Sequence, residues 1–115
     1  MRRGKKLAAL VGEYLAWMPV VGYSAGRVHS RRVYLEELLG WWEARGITAI
    51  HDVTPGRLQD YQASLLQPRP TRRGHPSGRR RRPPRIAELT PHARRHRLIA
   101  VHGLFAWLAK HGHIP

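Results

Sequence analysis

The side chains of this sequence that could do chemistry are histidine, tyrosine and, above all, arginine. There are eight histidines and four tyrosines, and there is no cysteine. The missing cysteine removes disulfides, thiolate metal sites and thiol nucleophiles. Two histidine groupings have spacing that could bring ring nitrogens together: His92 with His96, one helical turn apart, and His111 with His113. Zinc on the first pair would need two further ligands. Arg94, Arg95 and Arg97 crowd that pair and would repel a dication, and Glu88 is the carboxylate near it in sequence. The expectation is no metal and no other cofactor.

Arginine offers a different chemistry. The chain of 115 residues has 21 Lys+Arg against 7 Asp+Glu, a formal charge of +14. The lysines are Lys5, Lys6 and Lys110, so nearly all the positive charge is guanidinium. A chain this basic calls for a polyanion, most often nucleic acid. An anionic membrane would instead call for basic residues beside an aromatic insertion face. The aromatic residues here fall at core-like helical positions, so no membrane partner is expected. No apolar run has the length of a membrane span. Met1 to Lys6 is basic, but the segment after it alternates and contains Glu13, unlike a secretory leader. A cytoplasmic setting and one domain with a modest core are expected.

These residues need elements to hold them. Leu89 to Pro115 predicts a capped helix, with Thr90 as N-cap, Pro91 at the first helical position and Gly112 beyond the last turn. Leu98, Val101, Leu104, Phe105 and Leu108 make its apolar stripe. The opposite arc carries His92, Arg95, His96, Ile99, His102 and Ala106. That arc is basic, has no acid and has no bulky aromatic residue, as a helix lying in a DNA major groove requires.

Upstream, Lys5 to Met18 predicts a first helix with Leu7, Leu10, Val11, Tyr14, Leu15 and Met18 buried and Pro19 as its stop. Ser24 to Arg45 predicts a long second helix, capped by Ser24 and ended by Gly46. Val28, Leu35, Leu38, Leu39 and Trp42 line one of its faces, beside a stripe of Arg27, Tyr34, Trp41 and Arg45. Its first half is basic (Arg27, His29, Arg31, Arg32) and its second half carries Glu36, Glu37 and Glu43. Basic residues at a helix N-terminus oppose the macrodipole, so another interaction should favour them there. Ile47 to Val53 is a connection. Thr54-Pro55 repeats the cap-and-proline signal, and Leu58, Tyr61 and Leu65 give a short third helix to about Gln67. Residues 68–85 are rich in Arg, Pro and Gly, include Arg79, Arg80, Arg81 and Arg82, and predict a flexible loop able to contact phosphates. The fold expected is all-α, with four helices and a long basic loop before the last.

Three segments in this order resemble the N-terminal core-binding domain of tyrosine recombinases, in particular its Xer-like and phage integrase branches. They are Tyr23 to Ile47, which opens on Ser24 and closes on Arg45-Gly-Ile47; Val53-Thr-Pro-Gly-Arg-Leu58 with Tyr61; and Leu89 to Pro115, which ends Gly112-His-Ile-Pro115. Arg31 and Arg27 stand where that family usually has Tyr and Thr, and Arg95-His-Arg97 stands for its Asn-Arg-Arg run. His102 matches an arginine of the pattern.

The resemblance implies a SAM-like fold in which the second and fourth helices face the major groove of a recombination site. Double-stranded DNA, the catalytic domain of the same recombinase and further protomers on DNA would be the partners. It would assign DNA contacts to Arg27, His29, Ser30 and Arg31, and to His92, Arg94, Arg95, His96 and His102, with Arg79 to Arg82 as an arm. The family's catalytic Arg, Lys, His-x-x-Arg and Tyr belong to a later domain, expected after Pro115 and absent here. His29-Ser-Arg-Arg32 and His92-Ala-Arg-Arg95 match His-x-x-Arg only as a chain this rich in both residues would, so no catalysis is expected of this chain. Two other readings stay open on composition: a small arginine-rich RNA-binding or ribosome-associated protein, and a helical protein–protein adaptor.

Overall fold

The computed structural model describes residues 5–71 and 85–114. Four α-helices dominate it: α1 (Leu7–Val20), α2 (Ala25–Glu43), α3 (Pro55–Ser64) and α4 (Pro91–Lys110). The fold is all-α.

Each helix start follows from local chemistry. Ser24 Oγ accepts from Arg27 N at 3.2 Å, Thr54 Oγ1 from Arg57 N at 3.3 Å and Thr90 Oγ1 from Ala93 N at 3.1 Å. Each satisfies one otherwise orphaned donor, worth about 1 kcal/mol. Pro55 and Pro91 follow two of these caps inside the first turn.

Three helices end by one device. Gly22, Gly46 and Gly112 have φ of 103°, 77° and 76°, the left-handed region that side chains avoid. The residue after each glycine donates to the carbonyl five residues back: Tyr23 N to Met18 O at 3.1 Å, Ile47 N to Trp42 O at 3.0 Å, His113 N to Leu108 O at 2.9 Å. These are Schellman closures. Gly22 corrects the expected stop at Pro19. Pro19 lies within the last turn of α1, which runs on to Val20. It lacks only one N–H, and the glycine turn beyond it sets the end. Helix α3 stops at Ser64 rather than near Gln67. There the Ser64 hydroxyl donates to Tyr61 O at 2.5 Å, a local bond that competes with the helix ladder, and Pro68 follows closely.

The connection Ile47 to Val53 crosses the start of α1. Leu7 N donates to Thr48 O at 2.8 Å and Ile50 N to Lys5 O at 3.0 Å, before a short 3-10 turn at Ile50–Asp52. The ends of the basic loop differ from expectation. Arg69–Thr71 (β1) and Arg85–Ala87 (β2) pair antiparallel, with Pro70 opposite Ile86. A two-stranded ribbon tolerates proline because each strand has a free edge. Residues 72–84, including Arg79 to Arg82, lie outside the described residues.

The core gathers all six expected positions of α1 with Leu35, Leu38 and Trp42 of α2, Tyr61 and Leu65, and Ala100, Val101, Leu104, Trp107 and Leu108 of α4. On α4 the buried arc is rotated slightly from the expected stripe: Ala100 and Trp107 are buried, whereas Leu98 and Phe105 are half-buried. Trp107 draws that rotation, since the rings of Tyr14, Trp17, His111 and His113 all lie within 6.3 Å of its own.

Candidate nucleic-acid interface

Helices α2 and α4 meet along a seam held by three contacts. Arg97 lays its guanidinium bidentate on Glu37, Nε to Oε1 at 2.9 Å and Nη2 to Oε2 at 3.3 Å. The same guanidinium donates to Ala93 O at 3.1 Å and lies 5.1 Å from the Tyr34 ring. Tyr34 in turn stacks on His96, with centroids 6.4 Å apart and planes 23° apart. Arg97 is therefore consumed by the fold, and its pairing neutralises the one acid that α2 brings to the seam contacts.

The third contact joins three helices. Arg31 Nη1 donates to the Tyr14 hydroxyl of α1 at 2.6 Å. Both groups sit over Gly103 of α4, where an added Cβ would stand 2.8 Å from Tyr14 Oη and in collision with the Arg31 guanidinium. Gly103 is what lets the helices approach this closely. Burial pushes the Tyr14 hydroxyl above its ordinary pKa, and the charge and hydrogen bond of Arg31 pull partly the other way. The pair thus rests as neutral phenol and guanidinium.

Around these contacts the two helices leave exposed Arg27, His29 and Ser30 of α2 and His92, Arg95, His96 and His102 of α4. Arg27 and Ser30 precede Arg31 and Tyr34 by one turn, so they extend the α2 edge of the seam. His96 lies at the seam itself, through Tyr34. Arg31 and Arg94 are half-buried. Arg31 has its reach limited by Tyr14, so it holds the two helices in register as well as adding charge. His92 Nε2 lies 2.9 Å from His96 Nε2, which requires Nε2–H on one ring and a bare nitrogen on the other. Among the described residues no group of three or more His, Asp or Glu could hold a metal ion.

Sequence periodicity had marked both basic faces but not the groups that fix their mutual position. Tyr34, Arg97 and Gly103 do that, and a pairing between helices so far apart in sequence leaves no local signal. The resulting surface offers guanidinium and imidazole donors along two adjoining helices. Such donors suit phosphate oxygens and the O6 and N7 atoms of guanine. Among the described residues no helix is long and apolar enough to cross a membrane.

No family model matches the chain, and no solved structure matches it. The chain is similar to the tyrosine recombinase XerC 2 of Ralstonia nicotianae, with 35% identity over 95 residues. The match covers 83% of this chain and 24% of that protein. Over most of its own length, the chain is related to a tyrosine recombinase.

Proposed function

We propose that this chain binds duplex DNA as the core-binding domain of a tyrosine recombinase, with α2 and α4 set against the major groove. What carries the proposal is that α2 and α4 pack together and each exposes basic residues, Arg27 and His29 on one and His92, Arg95, His96 and His102 on the other, while Glu37 is paired by Arg97. The similarity to a tyrosine recombinase over 95 residues supports the same reading. The domain would be SAM-like. It would work in the cytoplasm with a catalytic domain of the same recombinase and with further protomers on the site. It would supply grip and position and no catalytic group. The arginine-rich segment 72–84 would add phosphate contacts as an arm. Arg27, His29, Ser30, Arg94, Arg95, His96 and His102 would meet the DNA, with His92 and Arg31 at the margin.

A competition titration tests this against an RNA-binding role. Duplex DNA and a structured RNA are offered at matched salt to the parent chain and to Arg95→Ala and His102→Ala. The proposal expects preference for duplex DNA, weakened in both variants without loss of helicity. Preference for the RNA, or variants that bind duplex as well as the parent, would refute the docking face.

A further inference from the structure

Two large apolar side chains of α2 and α4 stand out in solvent among the described residues: Val33, 46% exposed, and Ile99, 43% exposed. Ile99 is the more pointed case. It occupies the middle of the outer arc of α4, one turn after Arg95 and His96 and one turn before His102, all three exposed. One turn further on is Gly103, where Arg31 crosses from α2, so Ile99 sits beside the seam. The free fold gives isoleucine only partial cover there. Ile99 keeps 43% of its surface in water, and a β-branched residue forms helix less readily than the alanine or arginine found at neighbouring positions.

A major groove accounts for it. The groove edge of thymine carries a C5-methyl group, the apolar feature that distinguishes it from the other bases. A β-branched side chain on a helix is nearly fixed in χ1, so little rotamer freedom is lost on contact. The basic side chains one turn to either side would engage phosphates or purine edges and hold the helix at that depth.

We infer that Ile99 is a specificity-determining residue that reads a thymine methyl group, on the premise that α4 enters the major groove as proposed above. Duplexes retained by the parent chain from a random-sequence pool supply the probe. Each thymine of the retained site is replaced singly by deoxyuridine, which pairs identically but lacks the methyl. At one position, or two adjacent ones, deoxyuridine weakens the parent by about fourfold, the worth of one methyl group removed from water. Ile99→Ala binds the thymine and deoxyuridine duplexes alike at that position. Arg95→Ala weakens all duplexes and keeps the difference. A methyl penalty that persists in Ile99→Ala overturns the inference, as does its absence at every position in the parent, and either result leaves DNA binding intact. A parent chain that retains no duplex even at low salt overturns the DNA reading itself, and the inference with it.

Discussion

Gly103→Ala is a sharp test of how α1, α2 and α4 are locked. On an ordinary exposed helix this change stabilises by about 1 kcal/mol, because alanine loses less backbone entropy. Here the new methyl would meet the Tyr14 hydroxyl at 2.8 Å and the Arg31 guanidinium closer still. Arg31 is half-buried and can swing away, at the loss of its 2.6 Å bond to Tyr14. Tyr14 is 2% exposed and packed against Trp17 and Trp107, so its ring has nowhere to go. Overpacking of this kind costs about 1–3 kcal/mol, which outweighs the propensity gain and leaves a net loss of about 1 kcal/mol. In a Tyr14→Phe background the hydroxyl is gone and Arg31 is already released. There Gly103→Ala should be neutral or stabilising, giving a coupling of about 1–2 kcal/mol between the two sites. Urea unfolding of the parent, both single variants and the double variant measures it. If Gly103→Ala stabilises the parent by the full helical increment, the close approach at Gly103 is wrong.

Three further outcomes follow from the same contacts. Tyr14 has a folded pKa raised by burial, so its stabilising effect is complete below the ordinary tyrosine value of about 10 and is lost as pH rises through the folded value. Unfolding followed from pH 8 upward should show an alkaline fall in stability that Tyr14→Phe reduces. Glu37→Gln should cost about 1–2 kcal/mol in thermal or chemical unfolding, since it leaves the Arg97 guanidinium, 15% exposed, without its carboxylate. It should leave DNA binding unchanged or tighter, because an acid leaves the seam; weaker binding by a folded variant would contradict the electrostatic account. Thr90→Ala should lower stability by about 1 kcal/mol through loss of the α4 cap, with Thr90→Ser near the parent in the same melts.

Much of this fold was readable in the sequence where the determinants are local. The caps at Ser24, Thr54 and Thr90 and the exits at Gly46 and Gly112 need only their own flanks, and all five hold. The buried face of α1 follows from periodicity alone and is complete. What escaped depends on partners distant in the chain. Trp107 is buried because rings from α1 and from the exit of α4 surround it, which turns α4 away from the stripe that leucine spacing suggests. Arg31 reads as a surface base contact until Tyr14 and Gly103 are brought beside it. The β1–β2 pairing joins ends separated by the arginine-rich segment, whose composition carries no strand signal. Of the candidate contacts, Arg27, His29, Ser30, His92, Arg95, His96 and His102 are exposed on α2 and α4, and His96 reaches the seam through Tyr34; Arg79 to Arg82 lie outside the described residues. Contact with a base depends on the partner as well as the helix, so the two faces were legible while the individual contacts were not.

If the α2–α4 face grips the DNA backbone, affinity must fall as salt rises. Fluorescence anisotropy of a labelled duplex, titrated with the parent chain and with Arg95→Ala across a salt series, tests it most directly. Binding should weaken linearly in log–log form with salt. The slope should be shallower by about 0.9 in Arg95→Ala, one phosphate contact fewer. Binding that is insensitive to salt, or identical slopes for the two proteins, would contradict it.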